Sequence, residues 1–219
     1  MSEFRVNRVL SAPLTRVLLK TPLTPNQITL LSLGFGVLCG YFLSQGNYWL
    51  SLAAAACYQM AVLLDNCDGE VARAKNMRSK LGGWLDLFAD LVTDLSLFSG
   101  AALGMKRVGA DGPIDLFWGL CLSGAFIHCA LVVFEKLRGF GPAVFSAPHP
   151  EHEKRQNTWR TLFDAVREGE ASWLVIFLCV IGQSQVLLWG GGVYMQALWV
   201  SALVLNFCWL FHTGKKTRA

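Results

Sequence analysis

Residues 61–90 read AVLLDNCDGEVARAKNMRSKLGGWLDLFAD, two apolar runs that each carry a pair of aspartates. Asp65 and Asp68 stand three apart, and Asp86 and Asp90 four apart. On helices, each pair therefore shares one face, and the two pairs can look at each other. Aspartates in or at the ends of membrane-spanning helices are expensive, about 2.5–3.5 kcal/mol each at the bilayer centre, so four of them demand a compensating partner. The natural partner is a cation.

Outward from this stretch, the 219-residue chain is 53% hydrophobic and 16% charged. A soluble core cannot hide that much apolar surface without large exposed patches. The apolar residues also gather into blocks of about 17 to 25, the length that crosses a hydrocarbon layer about 30 Å thick. A first block opens at Thr24-Pro25-Asn26-Gln27, where Thr24 suits an N-cap, Pro25 the first helical position and Gln27 a capping box. It runs to about Gln45 and the turn Gln45-Gly46-Asn47. Further helices are predicted from about Tyr48, over Leu81–Gly104, Asp115–Phe134, Ser172–Trp189 and Val193–Phe211, the last two divided at Gly190-Gly191-Gly192. Ahead of them, Phe4–Lys20 mixes apolar residues with Arg5, Arg8, Arg16 and Lys20, a pattern suited to an interfacial helix that Pro13 bends. The expected fold is an all-α membrane protein of one domain: an amphipathic segment (1–23), a six-helix core (24–212) and a basic tail (213–219).

With six spans, about 17 of the 19 basic residues fall on one side and about 2 on the other. Both termini and the aspartate cluster are thus expected on the cytoplasmic side of an inner or cytoplasmic membrane. Because Met1–Lys20 is amphipathic and basic, no cleaved signal peptide is expected. The net charge of +4 is spread beside apolar blocks rather than along an aromatic-lined stripe, so a nucleic-acid partner is not expected. Seven cysteines without a CxxC pair, nearly all in apolar blocks, read as small packing residues.

Four hard carboxylates with no neighbouring His select Mg²⁺ or Mn²⁺ over zinc, with room for two ions and with substrate phosphate oxygens as further ligands. A carboxylate not consumed by metal can serve as base toward an acceptor hydroxyl. Gly69, Ala72 and Gly82 leave the backbone open to a diphosphate or a planar group.

Asp65-x-x-Asp68-Gly69-x-x-Ala72-Arg73-x8-Gly82-x-x-x-Asp86-x-x-x-Asp90 resembles, without gap or substitution, the signature of the CDP-alcohol phosphotransferases. Pro25-Asn26-Gln27-Ile28-Thr29 is similar to a short element of that family, and the likeness extends over roughly Thr24–Phe211. The resemblance implies transfer of a substituted phosphate from a CDP-alcohol to an alcohol acceptor, with release of CMP. It implies Asp65, Asp68 and Asp86 as ligands of a metal pair with help from Asp90, Asp90 as general base, and Asp68, Gly69, Ala72, Arg73 and Gly82 around the CDP moiety. It also implies a homodimer in contact with membrane lipid.

CDP-diacylglycerol, a lipid-forming donor, suits a site at the membrane surface. Arg167–Trp173 and the Trp- and Gly-rich final helices are similar to members that join CDP-inositol to inositol phosphate, which is the alternative. An anionic acceptor needs cations near the metal site, for which Lys136, Arg138 and Arg167 are the nearest candidates. A cation transporter would also use intramembrane carboxylates, but has no need of the Gly-x-x-Ala-Arg insert. Asp94, one turn beyond Asp90, either extends the carboxylate face or supports it. The four histidines are assigned no role. Trp49, Trp84, Trp118, Trp189 and Trp209 fall near span ends, as an aromatic belt would.

Overall fold

The computed structural model describes residues 6–138 and 171–214. Among them are seven α-helices and no strand: α1 (Val6–Leu19), α2 (Pro25–Ser44), α3 (Tyr48–Ala74), α4 (Lys80–Arg107), α5 (Ile114–Arg138), α6 (Ala171–Val180) and α7 (Ser184–Gly214). Arg167 lies outside the described residues, as do the side chains of Lys136 and Arg138, whose backbone closes α5.

The helix starts follow their local chemistry. Thr24 caps α2 through a complete capping box with Gln27, and Pro25 takes the first turn. Gly46, at φ +64°, turns the chain, and the Asn47 side chain accepts from the amides of Trp49 and Leu50 to start α3. α3 does not stop where its carboxylates begin; it continues through the whole Asp65–Arg73 segment to Ala74. Asn76, at φ 54°, ends it, with the Met77 amide bonding back to the Ala72 carbonyl at 2.9 Å. Ser79 then caps α4.

One division differs from expectation. The Gly190–Gly192 run does not break a helix; α7 passes straight through it, and the turn lies earlier, at Ile181-Gly182-Gln183, with Gly182 at φ +71°. A Cβ on Gly191 would strike the Phe98 ring and one on Gly192 would press on Phe117. These glycines therefore make room for aromatics of α4 and α5.

Among the described residues, α2, α3, α4 and Ile114–Phe134 of α5 are long and apolar enough to cross a membrane. Their outer faces agree: Leu30, Val37, Leu38 and Tyr41 of α2, Leu103 of α4 and Phe126 of α5 are exposed, as hydrocarbon-facing residues are. The protein is an integral membrane protein.

α2 is the spine. Both α3 and α4 pack along it and scarcely on each other, which leaves a cleft between α3 and α4. The α2–α4 contact is close because a Cβ on Gly40 would enter the Ser96 backbone and one on Gly100 the backbone of Gly40. A large core joins α2, α3, α4 and α5 to α6 and α7 around Leu43, Leu97, Phe98, Cys121, Leu178 and Leu188. A smaller one, Leu18, Ile28, Leu64, Cys67 and Val71, joins α1, α2 and α3 at the aspartate end. At the opposite end the basic residues have local partners: Lys106 pairs with Asp115, and Arg107 donates to Gln45 Oε1 at 2.6 Å. The six described cysteines are free thiols, four of them buried, which fits their reading as packing residues.

Candidate active site

Because α3 runs unbroken through residues 65–74 and α4 opens at Lys80, the aspartates of both helices project into the cleft between them. Asp65, Asp68 and Asp86 each bring a carboxylate oxygen within 4.8 Å of the others. Asp68 is buried, while Asp65 and Asp86 are half-buried. Asp90, one turn further along α4, is exposed and stands outside this trio, though close enough to Asp65 for their charges to interact. Asp65, Asp68 and Asp86 thus form one close group, and Asp90 stands beside Asp65 with its other side exposed. Asp94, a further turn along, is half-buried and stands near Tyr58 and Cys121.

Three converging carboxylates in an apolar bundle repel one another. The donor set is all hard oxygen, from two helices, and that chemistry fits a divalent cation of the Mg²⁺ or Mn²⁺ kind.

Thr29, which sequence reasoning assigned no role, completes the group. Its Oγ1 is 2.5 Å from Asp68 Oδ2 and 3.1 Å from the Pro25 carbonyl oxygen. One hydroxyl proton serves one acceptor, and the shorter distance and the charge favour the carboxylate. Ser32, one turn on, donates to the Ala61 carbonyl at 2.9 Å. Together they fix how α3 is rotated against α2. The Pro25–Thr29 element was legible as a family feature; that its threonine reaches Asp68 was not, because the pair is 39 residues apart.

The two signature glycines differ. A Cβ built on Gly69 would meet only Arg73 Nη1, at 3.5 Å, an ordinary contact. Among the described residues nothing demands glycine there, and the open space beside Asp68 is a cradle that a methyl group would fill. The same distance places the end of the exposed Arg73 side chain over Gly69. Gly82 is tighter, with Asn26 Oδ1 at 3.0 Å and Ser79 Oγ at 3.1 Å from its Cβ position. Its amide takes the Ser79 cap at 2.9 Å. Ala72, on the same helix as Gly69, is half-buried.

The described residues therefore bring together Asp65, Asp68, Asp86, Gly69 and Arg73, with Asp90 beside Asp65 and Gly82 at the head of α4. The acceptor candidates Lys136, Arg138 and Arg167 fall outside the described side chains.

Comparison with known proteins supplies the family. Residues 22–144 match the model of the family described as CDP-alcohol phosphatidyltransferase. The chain is 40% identical over 87 residues to the bifunctional IPC transferase and DIPP synthase of Rubrobacter xylanophilus, covering 40% of this chain and 19% of that one. It is 35% identical over 95 residues to the archaetidylinositol phosphate synthase of Pyrococcus horikoshii, covering 42% and 49%. To the phosphatidylinositol phosphate synthase of Corynebacterium glutamicum it is 33% identical over 106 residues, covering 48% and 47%. The match thus spans at most about half the length of these relatives. The family match over residues 22–144 takes in more than half of the chain and the whole two-helix aspartate signature, and on that ground the chain belongs to the CDP-alcohol phosphatidyltransferase family.

Proposed function

We propose that the protein transfers a substituted phosphate from a CDP-alcohol to the hydroxyl of a second alcohol and releases CMP. The observation that carries this reading is the trio Asp65, Asp68 and Asp86 beside a Gly69 whose side-chain position the protein leaves open. Asp65, Asp68 and Asp86, with help from Asp90, would hold one or two divalent ions. A bound ion supplies positive charge to the diphosphate and to the phosphate that departs. The backbone at Gly69, Ala72 and Gly82 would lie against the CDP moiety, with Arg73 over its diphosphate. Asp90, exposed and outside the metal trio, would take the acceptor hydroxyl proton. The acceptor oxygen then bonds to the phosphorus that carries the donor alcohol, the pyrophosphate P–O bond breaks, and CMP leaves with the bridging oxygen.

Six spans, α2 to α7, are our reading of the chain: the ten described residues of α6 make only about 15 Å of helix, but the turn at residues 181–183 keeps the alternation of ends expected from a division at Gly190–Gly192. Tyr48 at the head of α3 donates to the Val180 carbonyl at 2.9 Å, so α6 ends at the face where α3 begins. The distribution of basic residues then favours a cytoplasmic active site and cytoplasmic termini. A homodimer is the assembly that family membership suggests.

For substrates, two relatives carry inositol phosphate in their names, and an inositol phosphate is therefore the leading acceptor. The donor is either CDP-diacylglycerol, which suits a cleft bounded by lipid-facing helices, or CDP-inositol. Purified protein incubated with Mg²⁺ or Mn²⁺ and each donor against inositol phosphate, glycerol phosphate, serine and inositol decides between them. CMP formed with one pair names the reaction. Sealed vesicles that pass cations while no donor yields CMP would instead establish a transporter.

A further inference from the structure

α1 presents its polar side inward. Asn7, Ser11 and Thr15, spaced by four, are all buried, whereas Val9 is 58% and Val17 61% exposed. A helix that buries hydroxyls and exposes valines is built to meet polar partners on one side and lipid on the other. Those partners lie on α3. Thr15 Oγ1 donates to Glu70 Oε2 at 2.5 Å, Ser11 Oγ to Glu70 Oε1 at 3.5 Å, and Gln59 Nε2 to Asn7 Oδ1 at 3.0 Å. The Asn7 amide continues to Ser172 Oγ of α6 at 3.2 Å. The sequence of partners, Asn7 with Gln59 and Thr15 with Glu70, means that α1 runs alongside the C-terminal half of α3 in the same direction. Below Thr15, Lys75 Nζ donates to the carbonyls of Thr21 and Leu23 at 2.9 and 3.0 Å.

Glu70 lies inside the signature, two residues after Asp68, yet it does not face the cleft. At about 100° per residue it sits about 140° around α3 from Asp65 and about 160° from Asp68. α3 is thus gripped from both sides, by Thr29 and Ser32 of α2 near the carboxylate face and by Ser11 and Thr15 of α1 behind it. A carboxylate whose described partners are two hydroxyls is a costly way to fasten one apolar helix to another, for which packed leucines would serve. What the short Thr15 hydrogen bond and the longer one from Ser11 add is rotational definition.

We infer that Glu70, held by Thr15 and Ser11, is a positioning residue that sets the rotation of α3 and so the spacing of Asp65 and Asp68 against Asp86. The inference rests on the reading of that trio as a metal site. It makes α1 part of the catalytic apparatus as well as a membrane-facing segment.

The test is Mn²⁺ binding to the full-length protein in detergent, measured by titration calorimetry for wild type, Thr15→Val, Thr15→Ser and Glu70→Gln. CMP release and thermal unfolding are measured beside it. Thr15→Val should weaken Mn²⁺ binding about fivefold or more, the effect of one lost hydrogen bond on an equilibrium. Thr15→Ser and Glu70→Gln, which keep a donor and an acceptor in place, should bind within about twofold of wild type. The Thr15→Val deficit in CMP release should close at saturating Mn²⁺. Equal Mn²⁺ affinity in Thr15→Val and wild type overturns the inference and leaves the proposed reaction standing. So does a deficit that follows the unfolding temperature and persists at saturating metal. Wild-type protein that binds Mn²⁺ but releases no CMP would refute the reaction and leave the clamp intact.

Discussion

Gly69→Ala separates what the fold needs from what the substrate needs. Gly69 lies inside α3 with helical neighbours on both sides, where glycine costs about 0.8–1 kcal/mol relative to alanine. The added Cβ would touch only Arg73 Nη1, at 3.5 Å, the end of a flexible and exposed side chain. The substitution should therefore stabilise the protein by about 0.5–1 kcal/mol, which for a chain of this size raises the unfolding midpoint by about 1–4 °C. The same methyl would occupy the cradle proposed for the CDP moiety. An added methyl in a filled site costs about 1–3 kcal/mol, and on donor binding that is a loss of about 5- to 150-fold. Gly82→Ala is the counterpart. Its Cβ would lie 3.0 Å from Asn26 Oδ1 and 3.1 Å from Ser79 Oγ, so it should lose stability and donor binding together. The assays are thermal unfolding in detergent and the donor concentration that gives half-maximal CMP release. A Gly69→Ala protein that is less stable than wild type, or that uses donor as well as wild type does, would refute this reasoning.

Other substitutions probe the parts around that cradle. Thr29→Val keeps the volume of a buried side chain but removes the donor 2.5 Å from Asp68. Because the groups that orient a metal ligand typically carry about 10- to 100-fold in affinity, half-maximal activity should require correspondingly more Mn²⁺, with turnover recovering at saturation; an unchanged metal titration would remove Thr29 from the site. Gly100→Val, facing the backbone of Gly40, should part α2 from α4 and destabilise the protein by about 2 kcal/mol or more, read as a lower unfolding midpoint. Lys106→Ala removes the exposed pair with Asp115 at the far end of the bundle, so stability should change by less than about 1 kcal/mol and CMP release should not change.

The convergence of the aspartates was legible because their spacing is local. Carboxylates three and four apart on helices must share a face whatever the rest of the chain does, and Thr24–Gln27 announced its own capping box. Partners supplied by distant segments were not legible. Thr29 and Asp68, or Thr15 and Glu70, meet only after α1 and α2 have packed on α3. The basic and apolar residues of α1 suggested an interfacial helix, and drew attention away from the four-residue spacing of Asn7, Ser11 and Thr15, the stripe that the structure buries. Gly190–Gly192 was misread for a related reason. Three glycines look like a break in isolation, but the room they leave is taken by Phe98 and Phe117 from other helices. The local signal for the true turn was present in Gly182-Gln183-Ser184-Gln185, a polar interruption of an apolar block with a glycine at the position where a helix ends.

The central claim, a metal-dependent transfer at the α3–α4 cleft with Asp90 as base, is tested most directly by Asp90→Asn. Asp90 is outside the trio of Asp65, Asp68 and Asp86, so the variant should still bind CDP in the presence of Mn²⁺ while CMP release falls by about 100-fold or more, the usual worth of a general base. CMP release at the wild-type rate from Asp90→Asn would contradict the account.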